Sequence, residues 1–423
     1  VSDFRRLPDP PVTLADVSVP ACLVGEAGDL IRRDITIVDG TISDTHDVPR
    51  VEMGGAMVLP CFVDMHTHLD KGHIWPRAAN PDGTFSGALT TVAVDREARW
   101  SAEDVRRRAE FSLRCAYAHG TRSIRTHLDS IPPQDAITWP VFAALRDDWA
   151  GRIDLQGACL IGVDRAEMGG AFVHTADLVA SYGGVLGLVT YPVPDLRSRL
   201  RAFFGLAAER GLAVDFHVDE SLDPEAATLR AIAEIALDIG FERPIVVGHC
   251  CSLSTQDEVE VARTLDLVAE AGISVVSLPL CNLYLQDRQP YRTPRNRGIT
   301  LVHEMIERGI PVSFASDNTR DPFHAYGDLD MLEVLREATR IGHLDHTGDD
   351  WVRSVTESPA AACGFDRPSL APGAPADLVI LRARSWTELF ARPQADRIVL
   401  RGGRAIDRTL PDYSELDDLM ETR

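Results

Sequence analysis

Lysine is almost missing from this chain of 423 residues: Lys71 is the only one, so nearly all positive charge sits on arginine. Any lysine-dependent metal bridge or Schiff base therefore has a single source. Basic residues are also few in sum, 43 against 64 acidic ones, for a formal net charge of −21. A field of that sign repels phosphates and argues against nucleic acid or an anionic membrane as partner. The cysteines form no CxxC pair, and apart from adjacent Cys250 and Cys251 they lie far apart. Reduced, buried thiols in a cytoplasmic setting fit that pattern better than a disulfide scaffold. No apolar run is long enough to span a bilayer, and the opening VSDFRRLPDP has no signal-like apolar stretch. The H-x-E…P-C-x-x-C pattern of zinc deaminases that act on nucleic-acid bases is missing as well.

What is present is a hydrophobic content of 45%, ample for a large core. Residues 1–59 contain short strand-like runs between Gly, Asp and Pro, and residues 370–423 have the same character. These two pieces are expected to form one small β-rich, sandwich-like domain. Residues 60–369 alternate apolar runs with helix-like segments. The runs are MVLPCFVDMH, TRSIRTHLD, GRIDLQGACLIG, GGVLGLVTYP, GLAVDFHVDE, RPIVVGHC, GISVVSLPL and GIPVSFASDN. Continuously apolar strands followed by amphipathic helices predict a parallel sheet covered by helices, and eight units favour a (β/α)8 TIM barrel. Residues 72–100 read as a long, irregular first loop over its mouth.

Polar residues gather where the apolar runs stop. His66 and His68 follow the first run, His127 and Asp129 the second, and His217, Asp219 and Glu220 the fifth. His249 follows the sixth, and Asp317 with Asn318 the eighth. Residues two apart in a strand face the same side, so His66 and His68 can point together into the mouth. Joined by His217 and Asp317 at matching strand ends, they make a divalent-metal shell. His127 either lies behind the ligands or packs beneath them.

FVDMHTHLDK, HGTRSIRTHLDS, DFHVDE, SLPLCNLYLQDR, TPRNRGIT and SFASDNTRDPF occur in this order over nearly the whole chain. Together they resemble the bacterial cytosine deaminase branch of the amidohydrolase superfamily, which also includes an N-isopropylammelide-type aminohydrolase. The resemblance implies one zinc or iron ion held by His66, His68, His217 and Asp317. It also implies an activated water that gives its proton to Asp317, a Glu220 that protonates a ring nitrogen and shuttles the proton to the departing amine, and a His249 that steadies the attacking oxygen. The fourth run, VLGLVTYPVP, has no lysine, so the bridge of binuclear relatives is not expected.

Substrate-binding positions in this branch map to Asn282, Asn318, Phe323 and Gly162. Asn282 and the following Leu285–Gln286 pair match it. Gly162 stands where cytosine deaminases carry a recognition glutamine, Asn318 where they carry a second acid, and Phe323 where they carry tryptophan. These departures point away from cytosine, toward another small N-heterocycle or an amine-substituted ring. The competing expectations are a cyclic amide, imide or N-alkylamine-releasing amidohydrolase, and a non-catalytic metal- or ligand-binding barrel. The oligomeric state is left open, a homo-oligomer included.

Overall fold

The computed structural model of the chain describes residues 6–45, 47–165, 170–348 and 350–421. Five strands come first: β1 (Val12–Pro20), β2 (Leu30–Val38), β3 (Thr41–Ser43), β4 (Arg50–Glu52) and β5 (Met57–Pro60). The middle holds β6 (Phe62–Thr67), β7 (Thr121–Asp129), β8 (Asp154–Leu160), β9 (Leu186–Thr190), β10 (Val214–Val218), β11 (Ile245–His249), β12 (Ser274–Ser277) and β13 (Val312–Phe314). Last come β14 (Leu378–Leu381), β15 (Ile398–Arg401) and β16 (Arg404–Ala405). The first and last groups share one sheet in the order β16-β15-β14-β5-β1-β2-β3, with β4 on β1. β14 runs antiparallel to β5, Leu378 opposite Pro60 and Leu381 opposite Met57.

The middle is an α/β fold with parallel sheets. β6, β7 and β8 form one ladder and β9 to β13 a second. Single parallel bridges join them, Ala158 to Val185 and Gly162 to Val189 on one side and Thr67 to Asp317 on the other. The seam between β8 and β9 is tight: a Cβ on Gly187 would lie 1.9 Å from the Cys159 carbonyl oxygen. Only glycine lets the two backbones come so close. β10 and β11 are buried along their full length, as expected of strands covered on both faces.

Helices separate these strands: α1 (Phe85–Arg99), α2 (Ala102–His119), α3 (Asp135–Trp149), α4 (Ala171–Ser181), α5 (Leu196–Arg210), α6 (Thr228–Ile239) and α7 (Glu258–Glu270). α8 (Pro279–Leu285), α9 (Val302–Glu307) and α10 (Met331–Gly342) continue the series. In α2 the Ser101 side chain accepts from Asp104 N and Gly120 closes the end with φ +98°, so start and stop are both written locally. Among the described residues, no helix is long and apolar enough to cross a membrane.

Two sequence expectations change. MVLPCFVDMH is two strands, not one: β5 joins the terminal sheet and β6 the parallel one. Pro60 has no N–H to continue a ladder, and Cys61 N turns instead to the Asp377 carbonyl. Residues 72–100 are not wholly irregular, because α1 fills their second half. Thr84 caps it by accepting from Gly87 N, a start signal masked by the threonines, valine and sparse apolar face that follow.

Candidate metal centre and active site

At the C-terminal ends of the parallel strands, period-two alternation turns His66 inward from β6, and His68 follows just beyond it. His217 comes from β10 and Asp317 from the segment after β13. His68 Nε2 is 3.4 Å from His217 Nε2. Asp317 Oδ1 is 3.2 Å from His68 Nε2 and 3.6 Å from His66 Nε2. All four side chains are buried. The backbone is shaped to receive them. A Cβ on Gly248 of β11 would meet His66 Cε1 at 3.0 Å, so that strand gives way to the imidazole. Asp317 itself sits at φ +60°, pinned by Asp317 N to the His66 carbonyl at 2.9 Å and by Thr67 Oγ1 to its own carbonyl at 2.8 Å. An aspartate held there is strain overdetermined by its surroundings.

These groups fit a cation. Both nitrogens of His66 and both carboxylate oxygens of Asp317 are buried without a hydrogen-bond partner. Burial first, then neighbouring positive charge, holds His66, His68 and His217 well below the ordinary imidazole pKa. Neutral imidazoles expose the lone pairs that a metal needs. Burial pushes the Asp317 carboxyl up to about 7, the cost of a carboxylate with no counter-charge. Three nitrogens and one oxygen suit a first-row divalent ion.

Glu220 and His249 flank this cluster. Asn282, on α8, joins them: its Nδ2 lies 3.0 Å from His249 Nδ1 and 3.3 Å from Glu220 Oε1. With the amide donating to Nδ1, the proton of the neutral His249 ring is on Nε2, which has no partner. Burial holds His249 down to about 3. Burial, then the Asp317 charge, raises the Glu220 carboxyl well above its usual range. Glu220 therefore holds a proton at a pH where an exposed glutamate has lost it.

The remaining candidates form the surroundings. Gly162 is bridged to Val189, which is in register with His217, so it lies level with the ligands two strands away. A Cβ there would meet Asp164 Oδ1 at 2.6 Å and the Tyr191 hydroxyl at 3.1 Å, and these two groups hydrogen-bond to each other. The Asn318 amide is turned inward, donating to Asp321 Oδ2 and accepting from the Cys281 thiol. Phe323 packs edge-on against Phe85 at the head of α1, with ring centroids 5.5 Å apart. His127 lies against His66, centroids 4.0 Å apart, and its Nε2 is 3.9 Å from Asp215 Oδ1.

Asp215 is a residue that sequence reasoning passed over. Arg125 Nη1 holds its other oxygen at 2.7 Å, and Gln156 accepts from Arg125 Nε, so a buried polar column supports the cluster from below. Its signal was available: Asp215 stands two residues before His217 in a strand, on the same face.

The chain matches the amidohydrolase family over residues 153–406. It is 52% identical to a pterin deaminase of Rhizobium rhizogenes over 420 residues, 96% of each chain. It is 23% identical to the N-isopropylammelide isopropyl amidohydrolase of a Pseudomonas species, covering 90% of this chain and 93% of that one. Its fold superposes on 5-methylcytosine deaminase from Klebsiella pneumoniae with a TM-score of 0.78 at 26% identity, covering 93% of this chain and 97% of the other. N-isopropylammelide isopropylaminohydrolase from Burkholderia multivorans follows with a TM-score of 0.72 at 25% identity, covering 95% and 99%.

Proposed function

We propose, from the premise that this chain belongs to the amidohydrolase family, that it is a metal-dependent hydrolytic deaminase of a small N-heterocycle, and specifically of a 2-amino-4-oxo pteridine. The observation that carries the reaction class is Glu220, buried and proton-holding, tied through Asn282 to His249 beside an unpaired cluster of three imidazoles and a carboxylate. The identity of 52% to a pterin deaminase supports the ring type.

His66, His68, His217 and Asp317 would hold one divalent ion, zinc or iron. When bound, that ion supplies Lewis-acid polarisation that makes water nucleophilic near neutral pH. The protein's own groups manage the protons. Asp317 takes the proton that the attacking water gives up. Glu220 protonates the ring nitrogen beside the amine-bearing carbon, and His249 Nε2–H donates to the oxygen as charge develops on it. The carbon–oxygen bond forms, the added hydroxyl passes its remaining proton through the Glu220 carboxylate to the exocyclic nitrogen, and the carbon–nitrogen bond breaks. Ammonia leaves, a ring carbonyl remains, and the proton held by Asp317 returns to Glu220.

The eight central strands are read as a (β/α)8 barrel completed by single bridges, and the chain divides into 1–59 with 370–423 and the catalytic 60–369. Eight free, buried cysteines accord with a reducing, cytoplasmic location. The test is to offer metal-loaded enzyme pterin, cytosine, isocytosine, an N-alkylated triazine and a cyclic imide, and to measure ammonia or amine release. Pterin is expected to be turned over best, with ammonia released. Ring opening without released ammonia or amine would overturn the deaminase reading.

A further inference from the structure

Lys71, the only lysine in the chain, is buried at 4% exposure and is not one of the groups that the reaction above uses. Its Nζ donates to Asp129 Oδ1 at 2.8 Å, and no other acceptor is found among the described residues. An ammonium has three N–H bonds to satisfy, and burying one with a single partner is costly. Asp129 does not neutralise it alone, because Arg96 Nη1 holds the second carboxylate oxygen at 2.8 Å. Asp129 is itself fixed, its N–H bonded to Asp70 Oδ2 at 2.7 Å. Asp129 thus serves two cations, while Asp70 and Asp321 stand close enough to favour the charged form of Lys71, which is left as an ammonium with N–H bonds to spare.

That charge faces the site. Lys71 Nζ lies over the Phe323 ring, 5.7 Å from its centroid. Its field acts on Glu220, Asp317, Asp321, His68 and His217. Asp129 closes β7 opposite Leu160, so the ammonium stands on the side of the mouth where Gly162 offers no side chain to a ligand. The Asn318 amide is spent on Asp321 and Cys281. A buried cation with free N–H bonds at such a place needs an acceptor that arrives with the ligand.

We propose that Lys71 is a specificity-determining residue whose ammonium donates to the ring oxo group of the substrate, with Asp129 and Arg96 holding it in place. The inference rests on the functional reading above, since it requires a ring that carries an oxo group in addition to its amine. A pteridine with the amine at carbon 2 and the oxo group at carbon 4 presents both.

A single lysine makes the test direct. Protein labelled with ¹⁵N-lysine gives one side-chain nitrogen signal, and it belongs to Lys71. Metal-loaded enzyme is titrated with 2,4-dioxopteridine, the unreactive product, and with 2-oxopteridine, which lacks the second oxygen. The Lys71 signal is expected to shift with the dioxo ring and to stay put with the mono-oxo ring at equal occupancy, scored by inhibition. In parallel, Lys71→Met is expected to lower kcat/KM for pterin about 10- to 100-fold more than for 2-aminopteridine, the worth of one charge-assisted hydrogen bond, the loss on 2-aminopteridine reading the field on Glu220 and Asp317 alone. A lysine signal indifferent to bound dioxopteridine, or an equal loss on both substrates, would overturn the assignment. Wild-type enzyme that turns over neither pterin nor 2-aminopteridine would sink the functional reading, and this inference with it. Turnover of pterin with an unmoved lysine signal sinks the inference alone.

Discussion

In the proposed reaction Glu220 works only while it can hold and release a proton, and its surroundings suit that. It is buried, it receives a hydrogen bond from Asn282, and its pKa is raised by burial and by Asp317. Glu220→Gln keeps the shape and removes the proton transfer. It is expected to retain bound metal and lose about 10²- to 10⁴-fold in kcat. Because the pKa is raised, the wild-type enzyme carries the acid form at low pH and loses it as pH rises through that pKa. kcat should therefore fall on the alkaline side, and the limb should vanish from the residual Glu220→Gln activity. Loss of metal from the variant, measured by elemental analysis, would contradict the role given to Glu220. His66, His68, His217, Glu220, His249 and Asp317 were legible in the sequence because each follows an apolar run, a one-dimensional signal. Asp215 was passed over although it shares the His217 face of its strand, and its role shows only with Arg125, 90 residues away; the cation facing Phe323 takes its meaning from partners also remote in sequence.

The seam between β8 and β9 is the element whose geometry constrains the site most. Gly162 and Val189 bridge across it, and Val189 is in register with the candidate ligand His217. Gly187→Ala would drive a methyl group into the Cys159 carbonyl, 1.9 Å from the Cβ position, with the Asp215 carbonyl 3.2 Å away on the other side. Neither neighbour is a flexible side chain. Overpacking of this kind costs about 1–3 kcal/mol or more, read as a lowered urea midpoint, and it should also weaken metal binding because β10 shifts with β9. An unchanged midpoint and metal affinity would mean that the seam is looser than described. Strands and long helices such as α2 were readable from periodicity and caps. The split of MVLPCFVDMH between two sheets was not, since a continuous apolar run looks the same whether one sheet or two receive it. α1 was missed for the opposite reason, a helix with little amphipathic pattern whose evidence is mainly its Thr84 cap.

At the scale of the whole molecule, function depends on buried charge being balanced by something the chain does not itself supply. Without metal, burial raises Asp317 to about 7, above the ordinary carboxylate value of about 3.9. A carboxyl whose folded pKa is raised favours the fold below the unfolded value and loses that contribution as pH rises through the folded one. His66, His68 and His217, held below the ordinary imidazole value, contribute with the opposite sign, and their share is lost as pH falls through about 6.5. Metal affinity should strengthen as pH rises through about 7, because the ion no longer competes with a proton. Thermal unfolding of reloaded against chelated protein across that range checks this sign, and a metal-induced rise in Tm that is flat with pH would contradict Asp317 as a ligand. The net charge of −21 sets up a field that repels polyanions.

The central claim is that water, activated among His66, His68, His217 and Asp317, replaces the exocyclic amine of a pteridine. Mass spectrometry of the pterin product formed by metal-loaded enzyme in ¹⁸O-labelled water tests it most directly. The account predicts one labelled oxygen in an intact two-ring product, with an equal amount of ammonia released. An opened ring, or unlabelled product, would contradict it.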